Sequence, residues 1–247
     1  MGRTTPPTRS TLLEQFKVRY ARVWTFLTAR FARGEYLGLH LTIGFLISAL
    51  GLWIFLGVTE DVIHHDAITQ LDLTLLNWLQ AQRGPAGDQV FRAISALGSP
   101  LVMIILALGV AIILGIRKQG LLLEGWVTAF LGGALLNGVL KRAIHRPRPL
   151  AAVGLYQSWS FPSGHAMGSL IGYGMLAYLL VLLGPRSPRA RLAIIGAATI
   201  LVLSIGLSRL YLGAHYFSDV VGGYGAGMLW LSACISGLEV ARQWRPA

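Results

Sequence analysis

Six stretches of the chain stay apolar for about as long as a helix needs to cross a bilayer. They are Tyr36–Val58, Ala93–Ile116, Leu121–Leu140, Ala166–Pro185, Leu192–Ser208 and Val220–Leu238. A hydrocarbon core takes roughly 20 residues of helix. In the second stretch the helix is expected to begin at Ser99–Pro100, because proline suits a first helical turn. Only 13% of the residues are charged and 54% are hydrophobic, whereas soluble domains carry about 25% charged residues. The expected fold class is an all-α membrane protein, a six-transmembrane-helix bundle. No linker-like shift in composition divides it, so one core domain is expected over 36–240, between an arm at 1–35 and a tail at 241–247.

The formal net charge is +11. In a membrane protein this charge is better read as basic residues in cytoplasmic loops than as a nucleic-acid footprint. Orientation follows from where lysine and arginine fall. With the N-terminal arm inside, six crossings put 14 of the 21 basic residues inside and seven outside. Both termini are then cytoplasmic, in a bacterial-type inner membrane. The single cysteine, Cys234, allows no intrachain disulfide and no thiol metal site. The first 30 residues show no compact apolar run with a small-residue cleavage site, so no cleaved signal peptide is expected.

Two amphipathic segments flank the spans. In Leu13–Phe31, apolar residues at helical spacing alternate with Lys17, Arg19, Arg22 and Arg30, which predicts an N-terminal amphipathic helix on the anionic inner leaflet. Ile68–Leu79 is apolar at Ile68, Leu71, Leu75, Leu76 and Leu79. This pattern predicts a short extracytoplasmic helix at the interface, with "RGPAGD" as the turn after it. His64-His65-Asp66 reads as a solvated loop start rather than a metal site.

Against the topological trend, five of the seven outer basic residues lie in the two stretches 141–165 and 208–219, where Asp219 is the one acid. Cations concentrated in this way predict an anion site. Three clusters make it up. Lys141 ends the third span, and Arg148-Pro149 follows seven residues on; Pro147 and Pro149 stop the helix and stiffen the segment. "PSGH", Pro162 to His165, precedes the fourth span, where Ser163 suits an N-cap and the free N–H groups of Gly164 and His165 suit a phosphate. "SRLYLGAHYFSD" carries Arg209, His215 and Asp219. Four-residue spacing puts His215 and Asp219 on one helical face, where the carboxylate can fix the imidazole tautomer and leave the far nitrogen as a nucleophile.

Together, K-x6-R-P, P-S-G-H and S-R-x5-H-x3-D resemble the three-part signature of the type-2 phosphatidic acid phosphatase family. These are metal-independent integral-membrane phosphatases whose active sites are related to those of vanadium haloperoxidases. The resemblance implies His215 as nucleophile, Asp219 as its orienting partner, and His165 as general acid and then base. It implies Lys141, Arg148, Ser163, Gly164 and Arg209 as phosphate ligands, no metal and no cofactor. The implied substrate is a membrane lipid phosphate monoester or pyrophosphate, such as phosphatidylglycerol phosphate, undecaprenyl pyrophosphate or phosphatidic acid. A phosphotransferase using the same phosphohistidine, or a non-catalytic lipid-binding protein, would be the alternatives. Arg146-Pro147 is a second R-P pair, but Arg148 has the family's spacing from Lys141. Arg146, Arg142 and His145 are therefore expected to make secondary contacts or to meet lipid headgroups. Phe217 stands where many bacterial relatives have proline. Oligomeric state does not follow from these features.

Overall fold

Proline and serine punctuate the apolar runs, and the helices start where that punctuation falls. The computed structural model describes residues 36–152 and 158–244, so the arm helix expected at Leu13–Phe31 lies outside the described residues. Eight α-helices occur among the described residues: α1 Tyr36–His64, α2 Ala67–Ala81, α3 Pro85–Leu97, α4 Pro100–Ile116, α5 Gly120–Ile144, α6 Gly164–Leu183, α7 Pro188–Tyr211 and α8 Phe217–Trp244. No strand occurs among them.

Six spans long and apolar enough to cross a membrane emerge, the second running through α3 and α4 over Pro85–Ile116. Ser99 caps α4 by accepting the Val102 N–H at 3.4 Å, with Pro100 in the first turn. The one local misfit is "RGPAGD". Its proline does not close a turn but opens α3, whose start at Pro85 makes the turn shorter than the sequence suggested. The physical reason is the same as at Pro100: a first-turn N–H is unpaired anyway, so proline costs nothing there.

The chain is a multi-pass membrane protein, and its surface shows it. Phe45, Trp53, Leu101 and Ile116 are 68–78% exposed on α1 and α4, which suits lipid rather than water. Inside, Gly44–Ala247 packs as one compact unit. Its centre is α6 and α8, where small residues allow close approach. A Cβ on Gly223 would lie 2.8 Å from the Ser163 carbonyl oxygen, and one on Gly225 would lie 2.9 Å from the Gly51 carbonyl oxygen. Helices that pack backbone to backbone in this way use contacts that lipid cannot replace. Indole and phenol donors lock the spans together: Trp126 donates to Ala107 O at 2.9 Å, Trp230 to Ala129 O at 3.0 Å and Tyr224 to Val202 O at 2.7 Å.

Candidate active site

The three sequence clusters come together at one end of the bundle, where α5 and α7 finish and α6 and α8 begin. Helix α5 stops at Ile144 because His145 takes a left-handed conformation (φ 53°) and Pro147 follows. The chain beyond is tied across the site, with Ser160 N–H donating to Arg146 O at 2.8 Å and Ser163 N–H donating to Asp219 O at 2.9 Å. These two bonds bring the "PSGH" turn against the first turn of α8.

Asp219 is completely buried and His215 is 2% exposed. The carboxylate is fully occupied. Its Oδ2 accepts from the Ser160 hydroxyl, from His215 Nδ1 at 3.2 Å and from Tyr216 N–H at 2.9 Å. Its Oδ1 accepts from Arg146 at 2.7 Å. With Nδ1–H donated to Asp219, His215 presents a lone pair on Nε2, which accepts from Arg148 at 3.1 Å. Burial pushes the imidazole down to about 4, against the opposing pull of Asp219 and with help from Arg148 and Arg209. The ring is therefore neutral near pH 7, as an attacking nitrogen must be.

Carbonyl and hydroxyl oxygens meet the cations. Lys141 Nζ donates to Trp159 O at 2.5 Å and Ser160 O at 3.3 Å. Arg148 donates to Ser158 O at 2.7 Å and Ala214 O at 2.8 Å. Arg209, 3% exposed, donates to Ser95 Oγ of α3 at 2.6 Å. Three cations thus gather at one end of the bundle, so an anion brought among them would be attracted strongly.

Lys141, Arg148, Gly164, His165, Arg209 and His215 line one cavity of about 620 Å³. Away from these residues, Met103, Ile104 and Leu108 of α4 with Phe130 and Leu131 of α5 give it an apolar wall. Ser163 is fully buried, and its Oγ caps α6 by accepting the Ala166 N–H at 3.5 Å. It stands behind the cavity wall. The first turn of α6, with Gly164 and His165, reaches that wall. A Cβ on Gly164 would lie 3.1 Å from Asn137 Oδ1, so a larger residue there would crowd α5.

Of its two expected roles, Arg146 takes the secondary contact. It is not turned toward headgroups but inward, with its side chain 11% exposed, bonded to Asp219 and to Asp72 Oδ2 at 2.8 Å. The contact with Asp72 could not be read from motif spacing, since 74 residues separate the two. A signal did exist. Asp72 shares a helical face with Ile68, Leu75, Leu76 and Leu79, and a carboxylate on an apolar face needs a buried partner. Ser95 and Ser160 carried no comparable signal.

Among the described residues, no group of three or more His, Cys, Asp or Glu side chains is placed to hold a metal ion. The family model of the PAP2 superfamily matches residues 125–242. Phosphatidylglycerophosphatase B of Bacillus subtilis is 32% identical over 185 residues, covering 73% of this chain and 89% of that protein. A lipid A 1-phosphatase of Rhizobium johnstonii is 34% identical over 47% of this chain and 49% of that protein. The crystal structure of the transmembrane PAP2-type phosphatidylglycerolphosphate phosphatase from Bacillus subtilis superimposes with TM-score 0.69 at 29% identity. It covers 80% of this chain and 98% of that one.

Proposed function

Because the chain belongs to the PAP2 superfamily of membrane phosphatases, we propose that it hydrolyses a lipid phosphate monoester or pyrophosphate through a phosphohistidine. The observation that carries this reading is the single cavity that joins a cationic end at His215 to an apolar wall on α4 and α5. A free sugar phosphate has no use for that wall. A phosphorylated lipid fills both ends, its phosphate among Lys141, Arg148 and Arg209 and its tail along Met103, Leu108 and Phe130.

In the first step His215 Nε2 attacks the terminal phosphorus while its bond to the leaving oxygen breaks, the lipid's alcohol oxygen in a monoester or the bridging oxygen in a pyrophosphate. His165 gives that oxygen a proton, and the dephosphorylated lipid leaves. Asp219 holds Nδ1–H and offsets the positive charge that grows on the ring. In the second step water attacks phosphorus, His165 takes its proton, and the P–N bond breaks to return His215 and release phosphate. Phosphoryl transfer asks the protein mainly for positioning and charge neutralisation, and three side-chain cations with the first turn of α6 supply both.

Phosphatidylglycerol phosphate, phosphatidic acid and undecaprenyl pyrophosphate all have the required chemistry. The site is assigned to the outer face of the cytoplasmic membrane, with both termini inside, on the strength of the lysine and arginine distribution. The test is phosphate release by purified protein from a panel of these lipids, with 32P substrate to follow the label. Free phosphate is the expected product. Label moving instead into a second lipid would make the chain a phosphotransferase, and no turnover of any lipid phosphate would end the proposal. An impermeant maleimide should label Arg142→Cys in intact cells; labelling only after lysis would invert the topology.

A further inference from the structure

Helix α2 contributes nothing to the cavity lining, yet it sends one carboxylate into the site's support. Asp72 is 1% exposed. Its Oδ1 accepts the Ser218 N–H at 2.8 Å, and its Oδ2 accepts from the Ser218 hydroxyl and from Arg146 at 2.8 Å. Arg146 spends its other nitrogen on Ser218 Oγ at 2.6 Å and Asp219 Oδ1 at 2.7 Å. Its guanidinium also lies 4.4 Å from the centre of the Tyr216 ring. Two segments distant in sequence thus close on Tyr216 and Ser218, which lie between His215 and Asp219, and on Asp219 itself. Burial works against the charge on Arg146, but the two carboxylates outweigh it and hold the group protonated.

We propose that Asp72 and Arg146 are positioning residues, a clamp that fixes the Asp219 carboxylate in the orientation it needs to hold His215 Nδ1–H. This rests on His215 being the nucleophile. The electrostatics give the clamp a second effect. Asp72 and Asp219 are two buried carboxylates sharing one cation, and without Arg146 they would repel each other. The charge of Asp219 would then bear on His215 with nothing to offset it from behind. The other groups facing His215 are Arg148 after α5 and Arg209 on α7, with His165 on α6 and Lys141 on α5 across the cavity. All of these stay as they are when Arg146 is changed.

The test is single-turnover kinetics with 32P-labelled phosphatidic acid in detergent micelles, reading both labelled enzyme and free phosphate across pH. Arg146→Gln is expected to lower kcat at least tenfold with KM within twofold. It should also move the acid limb of kcat/KM up by about one pH unit, the effect of removing one charge near a buried ring. Asp72→Asn, which keeps shape and capping, should lower kcat less and leave KM unchanged. If Arg146→Gln fails to fold, Asp72→Asn/Arg146→Gln, which removes one charge of each sign, carries the same test. That double variant should fold, because only one of the two facing buried carboxylates is left, and should keep the low kcat, because Asp219 still lacks Arg146. Wild-type kcat and pH profile in the single variants, or a double variant with wild-type kcat, would overturn the clamp. Turnover or labelling that persists in His215→Ala would instead overturn the phosphohistidine itself, so the two failures are distinguishable.

Discussion

Replacing Asp219 with asparagine removes one charge and changes little else in size, so its effect reports directly on the His215–Asp219 pair. An asparagine has one acceptor oxygen and one donor group where Asp219 has two acceptor oxygens serving Arg146, Ser160, His215 and Tyr216. If its oxygen faces His215, its NH₂ meets the Arg146 guanidinium, donor against donor. If its NH₂ faces His215, the ring must move its proton to Nε2 and lose the attacking lone pair. The charge effect can be sized. Two unit charges about 4 Å apart interact by about 4 kcal/mol at an effective dielectric near 20, which is on the order of a thousandfold in rate. Loss of the correct tautomer in a serine-protease triad costs about 10⁴. Asp219→Asn should therefore lower kcat for phosphate release by about 10³–10⁴, with the purified protein eluting and melting as a folded species. A folded variant within tenfold of wild type would refute the assignment of Asp219 as the group that offsets the growing charge on His215.

The low value of His215 predicts a pH-dependent stability. Its folded-state value lies below the usual 6.5, at about 4, so between these the unfolded chain takes up the proton and stability is lost as pH falls. The Tm difference between wild type and His215→Gln should shift against wild type across that window and be flat above it; a flat difference throughout would mean an unperturbed ring. Gly225→Ala places a methyl 2.9 Å from the Gly51 carbonyl oxygen and the Phe55 nitrogen, and overpacking of this kind costs about 1–3 kcal/mol. It should lower Tm measurably, while Gly57→Ala, which meets nothing within 4 Å, should not. Since Lys141, Arg148 and Arg209 supply the cationic charge, activity is expected to survive EDTA, and loss with recovery on added Mg²⁺ would contradict the mechanism. Vanadate should compete with substrate as a mimic of the five-coordinate phosphoryl group; indifference to it would count against in-line attack by His215.

Much of this protein was legible before its structure, because the bilayer makes a one-dimensional demand. A span must be long and apolar wherever it goes, so the six apolar spans, the helix start at Pro100 and the short helix α2 follow from local sequence alone. Lys141, Arg148, His165, Arg209 and His215 were also legible, since helix ends carry their own punctuation and the three motifs carry their own spacing. Motif spacing already singled out Arg148, and what tertiary structure decided was the partner of Arg146. Asp72 on α2 lies 74 residues away, so no local spacing could name it. A buried carboxylate captures Arg146 because an unpaired charge there would be too costly, while Arg148 reaches the Ser158 and Ala214 carbonyls, the Ser158 hydroxyl and His215 Nε2. The joining of the cationic site to an apolar wall was likewise invisible in the sequence, because it depends on how α4 and α5 lie beside the first turn of α6.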